Sequence, residues 1–79
     1  MKHILVEYYA ILREHAGCNH ETLETDITTP AELYAELQKR YRFPNMNTVK
    51  VAINDEFTDW HKQLKDGDCV VFIPPVAGG

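Results

Sequence analysis

Thr29-Pro30-Ala31-Glu32 marks the start of the one long helix this chain can make, and the rest of the sequence must fold around it. Thr29 suits the N-cap. Pro30 suits the first helical position, where its missing N–H costs nothing, and Glu32 stands where a capping box needs an acidic partner. Leu33, Leu37 and Tyr41 then recur at i, i+4 and i+8, which draws one apolar stripe toward a core. Pro44 ends the segment, because a proline cannot continue the hydrogen-bond ladder. A single stripe covers one face of one sheet, so the remaining residues must supply that sheet.

They do so in short pieces. Residues 4–9 alternate, with Ile4, Val6 and Tyr8 on one side and Leu5, Glu7 and Tyr9 on the other, as a strand requires. Ala10 to Ala16 reads as a short helix stopped by Gly17, which accepts positive φ. Glu21 to Ile27 is polar and carries two threonines, a second strand near a sheet edge. Thr48 to Asn54 is a third, with Val49, Val51 and Ile53 inward; Asn54-Asp55 then turns the chain and delivers Phe57. Trp60 to Leu64 is expected to form a helical turn, with Trp60 as a core anchor. Asp66-Gly67-Asp68 is a tight turn before the last strand, Cys69 to Ile73.

That last strand is apolar on both faces, so it belongs in the middle of the sheet. The order predicts an α+β fold: a mixed sheet of four to five strands packed on one long helix, the β-grasp or ubiquitin-like arrangement. Residues 1–75 are expected to form this domain and residues 76–79 a flexible C-terminal tail.

Composition narrows the function. The chain's 79 residues leave room for one domain, and 44% hydrophobic with 25% charged residues is a globular balance. Eight Lys+Arg against twelve Asp+Glu give a net charge of -4, which argues against nucleic acid or an anionic membrane as the main partner. No apolar run approaches the ~20 residues of a membrane span. Glu7 interrupts the apolar start of the chain, which is unlike a signal peptide, so a soluble cytoplasmic protein is expected. Cys18 and Cys69 belong to no CxxC pair and read as reduced thiols. His3, His15, His20 and His61 lack the spacing of metal ligands, so no metal site is expected.

The chemistry lies at the end of the chain, Phe72-Ile73-Pro74-Pro75-Val76-Ala77-Gly78-Gly79. Pro74 and Pro75 have no amide proton to extend a strand ladder, and they favour an extended geometry that points the tail away from the body. Val76 to Gly79 could then reach about 13–14 Å beyond the fold. Gly78 and Gly79 lack Cβ atoms, so this backbone can enter a narrow channel and approach a reactive group closely. A carboxylate is a poor electrophile and must be activated, typically as an acyl adenylate. The chain has no Gly-rich phosphate loop for ATP, so a separate enzyme must activate it and this protein is that enzyme's substrate.

With these residues in view, the chain resembles the small subunit of molybdopterin synthase, a MoaD-like family of ubiquitin-like sulfur carriers. Ala10-Ile11-Leu12-Arg13-Glu14-His15-Ala16-Gly17 is similar to the family's A-x-x-R-E-x-x-G segment. Thr29-Pro30, Ala52-Ile53-Asn54 and Asp66-Gly67-Asp68 also match, and the ending is similar to F-[FL]-P-P-V-[AST]-G-G. The resemblance implies that a MoeB-like enzyme uses ATP to adenylate Gly79, and that a sulfur donor enzyme converts it to a thiocarboxylate. The tail, with Val76, Ala77 and Gly78, then enters the active site of a MoaE-like large subunit. There the sulfur adds to cyclic pyranopterin monophosphate, and two such transfers make the dithiolene of molybdopterin. The carrier is thus the non-catalytic sulfur-donor subunit of a heterotetrameric sulfurtransferase, and this chain itself binds no cofactor.

The docking surface follows from alternation and from the family. With Ile4, Val6, Tyr8, Val70 and Phe72 toward the helix, Leu5, Tyr9, Val71 and Ile73 face outward, and Phe57 joins them near the sheet edge. The expected partner interface is Tyr9, Phe57, Val71, Ile73, Pro74 and Pro75; apolar residues at the positions of Tyr9, Phe57 and Ile73 contact the large subunit in the family. Arg13 and Glu14 match the family motif but fit a solvated helix face equally well. The family often has Phe where this chain has Tyr9 and Ile73, and a polar residue at Cys69.

Other readings remain open at this point. A thiocarboxylate carrier for thiamine or cysteine biosynthesis shares the fold and Gly-Gly but usually lacks Pro-Pro-Val, and it would co-purify with a different partner. A ubiquitin-like modifier would form isopeptide adducts through Gly79. A plain binding module would tolerate loss of Gly78 and Gly79.

Overall fold

A computed structural model describes residues 1–75. Its elements are β1 (Lys2–Tyr8), α1 (Ile11–Ala16), β2 (His20–Thr25), α2 (Pro30–Tyr41), a 3-10 turn (Met46–Thr48), β3 (Lys50–Ile53), β4 (Glu56–Thr58) and β5 (Cys69–Ile73). The strands form one five-stranded sheet in the order β2-β1-β5-β3-β4. As its two apolar faces foretold, β5 is central, parallel to β1 and antiparallel to β3. Polar β2 is an edge strand, also as expected.

The other edge, β4, is the fifth strand. Asn54 and Asp55 take positive φ angles of 52° and 72°, as a two-residue hairpin turn demands, and this folds Phe57 back beside Ala52. Phe57 therefore belongs to a strand.

Thr29 is the N-cap and Pro30 the first helical residue, as the sequence predicts. Glu32 closes the capping box differently, taking the Thr28 and Thr29 hydroxyls in place of the Thr29 N–H. Thr29 Oγ1 accepts from the Glu32 N–H at 3.3 Å, and the Glu32 carboxylate accepts from the Thr28 hydroxyl at 3.1 Å. The end differs from expectation. Arg42 adopts the left-handed conformation (φ 58°) and caps the helix after Tyr41, before Pro44 is reached. Leu33, Tyr34 and Leu37 are buried against Ile4, Val6, Tyr8, Val70 and Phe72, with Tyr41 half-buried beside them. Burying each such large apolar side chain contributes about 1.5–3 kcal/mol before entropy is counted.

Trp60 and His61 form one turn, closed by the Lys62 N–H donating to the Asp59 carbonyl at 3.3 Å, and residues 62–64 are irregular, so no helix forms. Their backbone is engaged elsewhere: Trp60 carbonyl accepts from the Ala31 N–H at 3.0 Å, and Leu64 N–H donates to the Thr28 carbonyl at 2.7 Å. The segment thus satisfies one of the donors that the first turn of α2 leaves unpaired. Trp60 is the anchor its composition suggested, stacked on Phe72 at 5.8 Å and edge-on to Tyr34 at 5.5 Å.

Candidate functional site

The candidate site surrounds the end of β5, just before the residues expected to form the tail. The last ladder pair of β5 is Lys50 with Ile73, and Pro74 follows with no N–H to offer. Pro74 is buried and Pro75 is exposed. Of the two prolines expected at the partner interface, Pro74 continues the line of the central strand and is packed into the chain, and Pro75 projects beyond it. Val76, Ala77, Gly78 and Gly79 lie outside the described residues.

Tyr9, Ala10, Ile11, Glu14, Ile73, Pro74 and Pro75 line a groove of about 470 Å³. Tyr9 and Ile11 are 49% and 43% exposed, large areas for apolar side chains. A second hollow of about 330 Å³ lies on the other side of Ile11 and Pro75, lined by His15, Arg42, Pro44 and Thr48. Ile11 and Pro75 therefore line both hollows, and both are largely apolar.

A tight turn shapes this corner. Leu12 N–H donates to the Tyr9 carbonyl at 3.1 Å, and Ala10 inside that turn is held at φ 51°, ψ -126°. Glycine prefers such a conformation, and alanine adopts it under strain. Sequence reasoning took Ala10 for an ordinary helical residue, and no local signal marks the strain.

The rest of the expected interface spreads across the face of the sheet opposite the helix. Register places Glu7, Val71, Ala52 and Phe57 in one row across β1, β5, β3 and β4. Phe57 is 70% exposed, with Lys50 Nζ 6.0 Å from its ring centroid. Val71 points to this face as alternation predicts, yet it is only 7% exposed. Neighbours on both sides of the central strand cover it, so Val71 is a floor beneath the patch rather than a projecting contact. Tyr9, Ile73 and Pro75 gather at the groove, while Phe57 stands at the far edge of the same face.

Both thiols are shifted away from the thiolate form. Burial, then the charge of Glu7, pushes the Cys69 thiol up, and Cys69 Sγ donates to Glu7 Oε1 at 3.6 Å. Burial and Glu21 do the same to Cys18. Among the described residues no group of three or more His, Cys, Asp or Glu is placed to hold a metal ion, and no helix is long and apolar enough to cross a membrane.

A model of the ThiS family matches residues 6–79. The chain belongs to the ThiS family. This ThiS-family chain is 37% identical over 81 residues to the molybdopterin synthase sulfur carrier subunit of Chlamydomonas reinhardtii, covering 96% of the chain and 98% of that protein. Its fold matches a putative molybdopterin converting factor subunit 1 from Pyrococcus furiosus with a TM-score of 0.80, at 30% identity over 96% of this chain and 100% of that one. It also matches a chain in the complex of subunits 1 and 2 of molybdopterin-converting factor from Helicobacter pylori. There the TM-score is 0.69 and the identity 26%, over 98% and 99% of the two chains. The β-grasp fold and the MoaD-like resemblance are both upheld by these likenesses.

Proposed function

We propose that this protein is the sulfur carrier subunit of a molybdopterin synthase, acting through the carboxylate of Gly79. The observation that carries the reading is the likeness to the Chlamydomonas carrier over nearly the whole of both chains. The apolar groove at the root of the tail, with Tyr9, Ile73 and Pro75 together, supports it.

In this reading an ATP-dependent, MoeB-like enzyme adenylates Gly79, and ATP belongs to that enzyme. A sulfur donor enzyme then displaces AMP and leaves a thiocarboxylate. Its sulfur is a soft nucleophile, ionised at neutral pH, and it attacks cyclic pyranopterin monophosphate within a MoaE-like large subunit. Water cleaves the acyl–sulfur bond and restores the carboxylate for another cycle. Val76, Ala77 and Gly78 form the narrow lead that reaches the substrate. Tyr9, Phe57, Ile73 and Pro75 dock the large subunit over the floor made by Val71 and Pro74. The structural likeness to a chain of the two-subunit Helicobacter complex supports such a partner. Two carriers on a large-subunit dimer would make the cytoplasmic heterotetramer.

The test is intact-mass spectrometry after incubation with the adenylating enzyme, ATP and a sulfur source, followed by addition of the large subunit and pyranopterin. One terminal oxygen replaced by sulfur, then lost as dithiolene forms, is the expected result. An unaltered mass, or isopeptide adducts in place of sulfur transfer, would overturn the reading.

A further inference from the structure

We infer that Glu7 selects the partner of the sheet face opposite α2: its carboxylate takes a cationic side chain set within an otherwise apolar partner surface. The inference rests on the proposed docking of a large subunit and names the chemistry that subunit must bring.

Position puts Glu7 inside the contact. Glu7 and Phe57 stand at the two ends of one row across β1, β5, β3 and β4, with Val71 and Ala52 between them. The strand spacing sets those ends about 14 Å apart. Val71 and Ala52 are 7% and 6% exposed, so the stretch between is a closed apolar floor. Tyr9 follows Glu7 by two residues and Ile73 follows Val71 by two, so Glu7 borders the groove residues as well. A partner patch of ordinary size, about 800 Å², that covers the groove and Phe57 also covers Glu7.

The carboxylate is poorly matched within its own chain. It is half-buried, and among the described residues its one hydrogen bond comes from the Cys69 thiol, a weak donor, at 3.6 Å. His20, its cross-strand neighbour on β2, forms no ion pair with it among the described residues. Lys50 shares the face, but its ammonium lies 6.0 Å from the Phe57 ring centroid, at the far end of the row. Asp55 adds a second negative charge near Cys69.

Docking strips the water from this carboxylate. A purely apolar partner would leave the charge buried and unpaired, which opposes binding. A partner guanidinium or ammonium replaces that water, and the apolar contact around the pair strengthens it. Apolar shape complementarity then supplies contact area, while the charge pair rejects partners that lack the cation.

The test is titration calorimetry of the full-length protein against the large subunit, with a thermal melt of each variant as the control for folding. Glu7→Gln keeps an acceptor for the Cys69 thiol and should weaken binding about tenfold. Glu7→Leu enlarges the apolar face yet should weaken binding at least as much, because the partner's cation loses its mate. Added salt should weaken the wild type more than Glu7→Gln. Glu36→Gln removes an exposed carboxylate from α2, across the sheet, and should leave affinity unchanged, so net charge is not the cause. Equal affinity of Glu7→Gln, tighter binding of Glu7→Leu, or self-association of the free chain that Glu7→Gln abolishes would overturn the inference alone. Absence of wild-type binding to the large subunit would overturn the proposed function, and this inference with it.

Discussion

The Tyr8 hydroxyl donates to the Glu21 carboxylate at 2.7 Å, joining β1 to the edge strand β2 by side chains as well as by backbone. The same oxygen accepts from Tyr41 at the end of α2, also at 2.7 Å. One carboxylate therefore ties two strands and the helix together. Burial, then Glu21, drives the Tyr8 phenol far above its ordinary range, and burial pushes Tyr34 up to about 12.

These phenols make stability fall at high pH. In the unfolded chain they ionise near pH ~10, while the folded protein keeps their protons. A raised folded value gives stability that is present below pH ~10 and lost above it, because the unfolded state then binds fewer protons. The urea midpoint should therefore drop as pH climbs past ~10. Tyr8→Phe should cost about 1 kcal/mol at neutral pH, since Glu21 keeps Tyr41, and should soften the alkaline loss. A flat alkaline profile in the wild type would contradict this account.

Ala10→Gly should stabilise the protein. Relief of the turn at φ 51° is expected to outweigh the entropy of the added glycine by roughly 1 kcal/mol, or about 4–8 °C in Tm. Calorimetry checks it; a lower Tm would show that Ala10 is not strained.

Removal of Gly79 should abolish sulfur transfer while unfolding free energy stays within about 0.5 kcal/mol. Among the described residues the β5 ladder ends at Ile73 and Pro74 is already buried, and Gly79 lies beyond both in the chain. Matched thermal melts and single-turnover assays on the truncated chain decide it, and a large stability loss would count against a tail outside the core.

Ile73→Lys and Phe57→Lys should each weaken binding to the large subunit by about tenfold or more, because each sets a charge within an apolar contact. Ile73 borders the groove and should have the larger effect. Titration calorimetry with the large subunit measures both, and unchanged affinity for the pair would move the interface to another face.

Much of the fold was legible because its signals are local. Ile4, Val6 and Tyr8 point inward on alternation alone, Gly17 takes φ 76° as a helix end requires, and Thr29 caps α2. The central place of β5 followed from apolar residues on both its faces. The site was half legible. Tyr9, Phe57 and Ile73 could be assigned to the outer face, but the burial of Val71 and Pro74 depends on neighbours brought from β1, β3 and the turn before α1.

By itself the sequence determined the order of the elements, the face each strand presents inward and the Gly-Gly ending, because period, capping and chain chemistry are properties of adjacent residues. Only the tertiary structure decided that Glu21 would gather two tyrosines and that Ala10 would be strained beside Ile73 and Pro75. Those features join residues far apart in the chain, and their energies exist only once the sheet has closed on the helix.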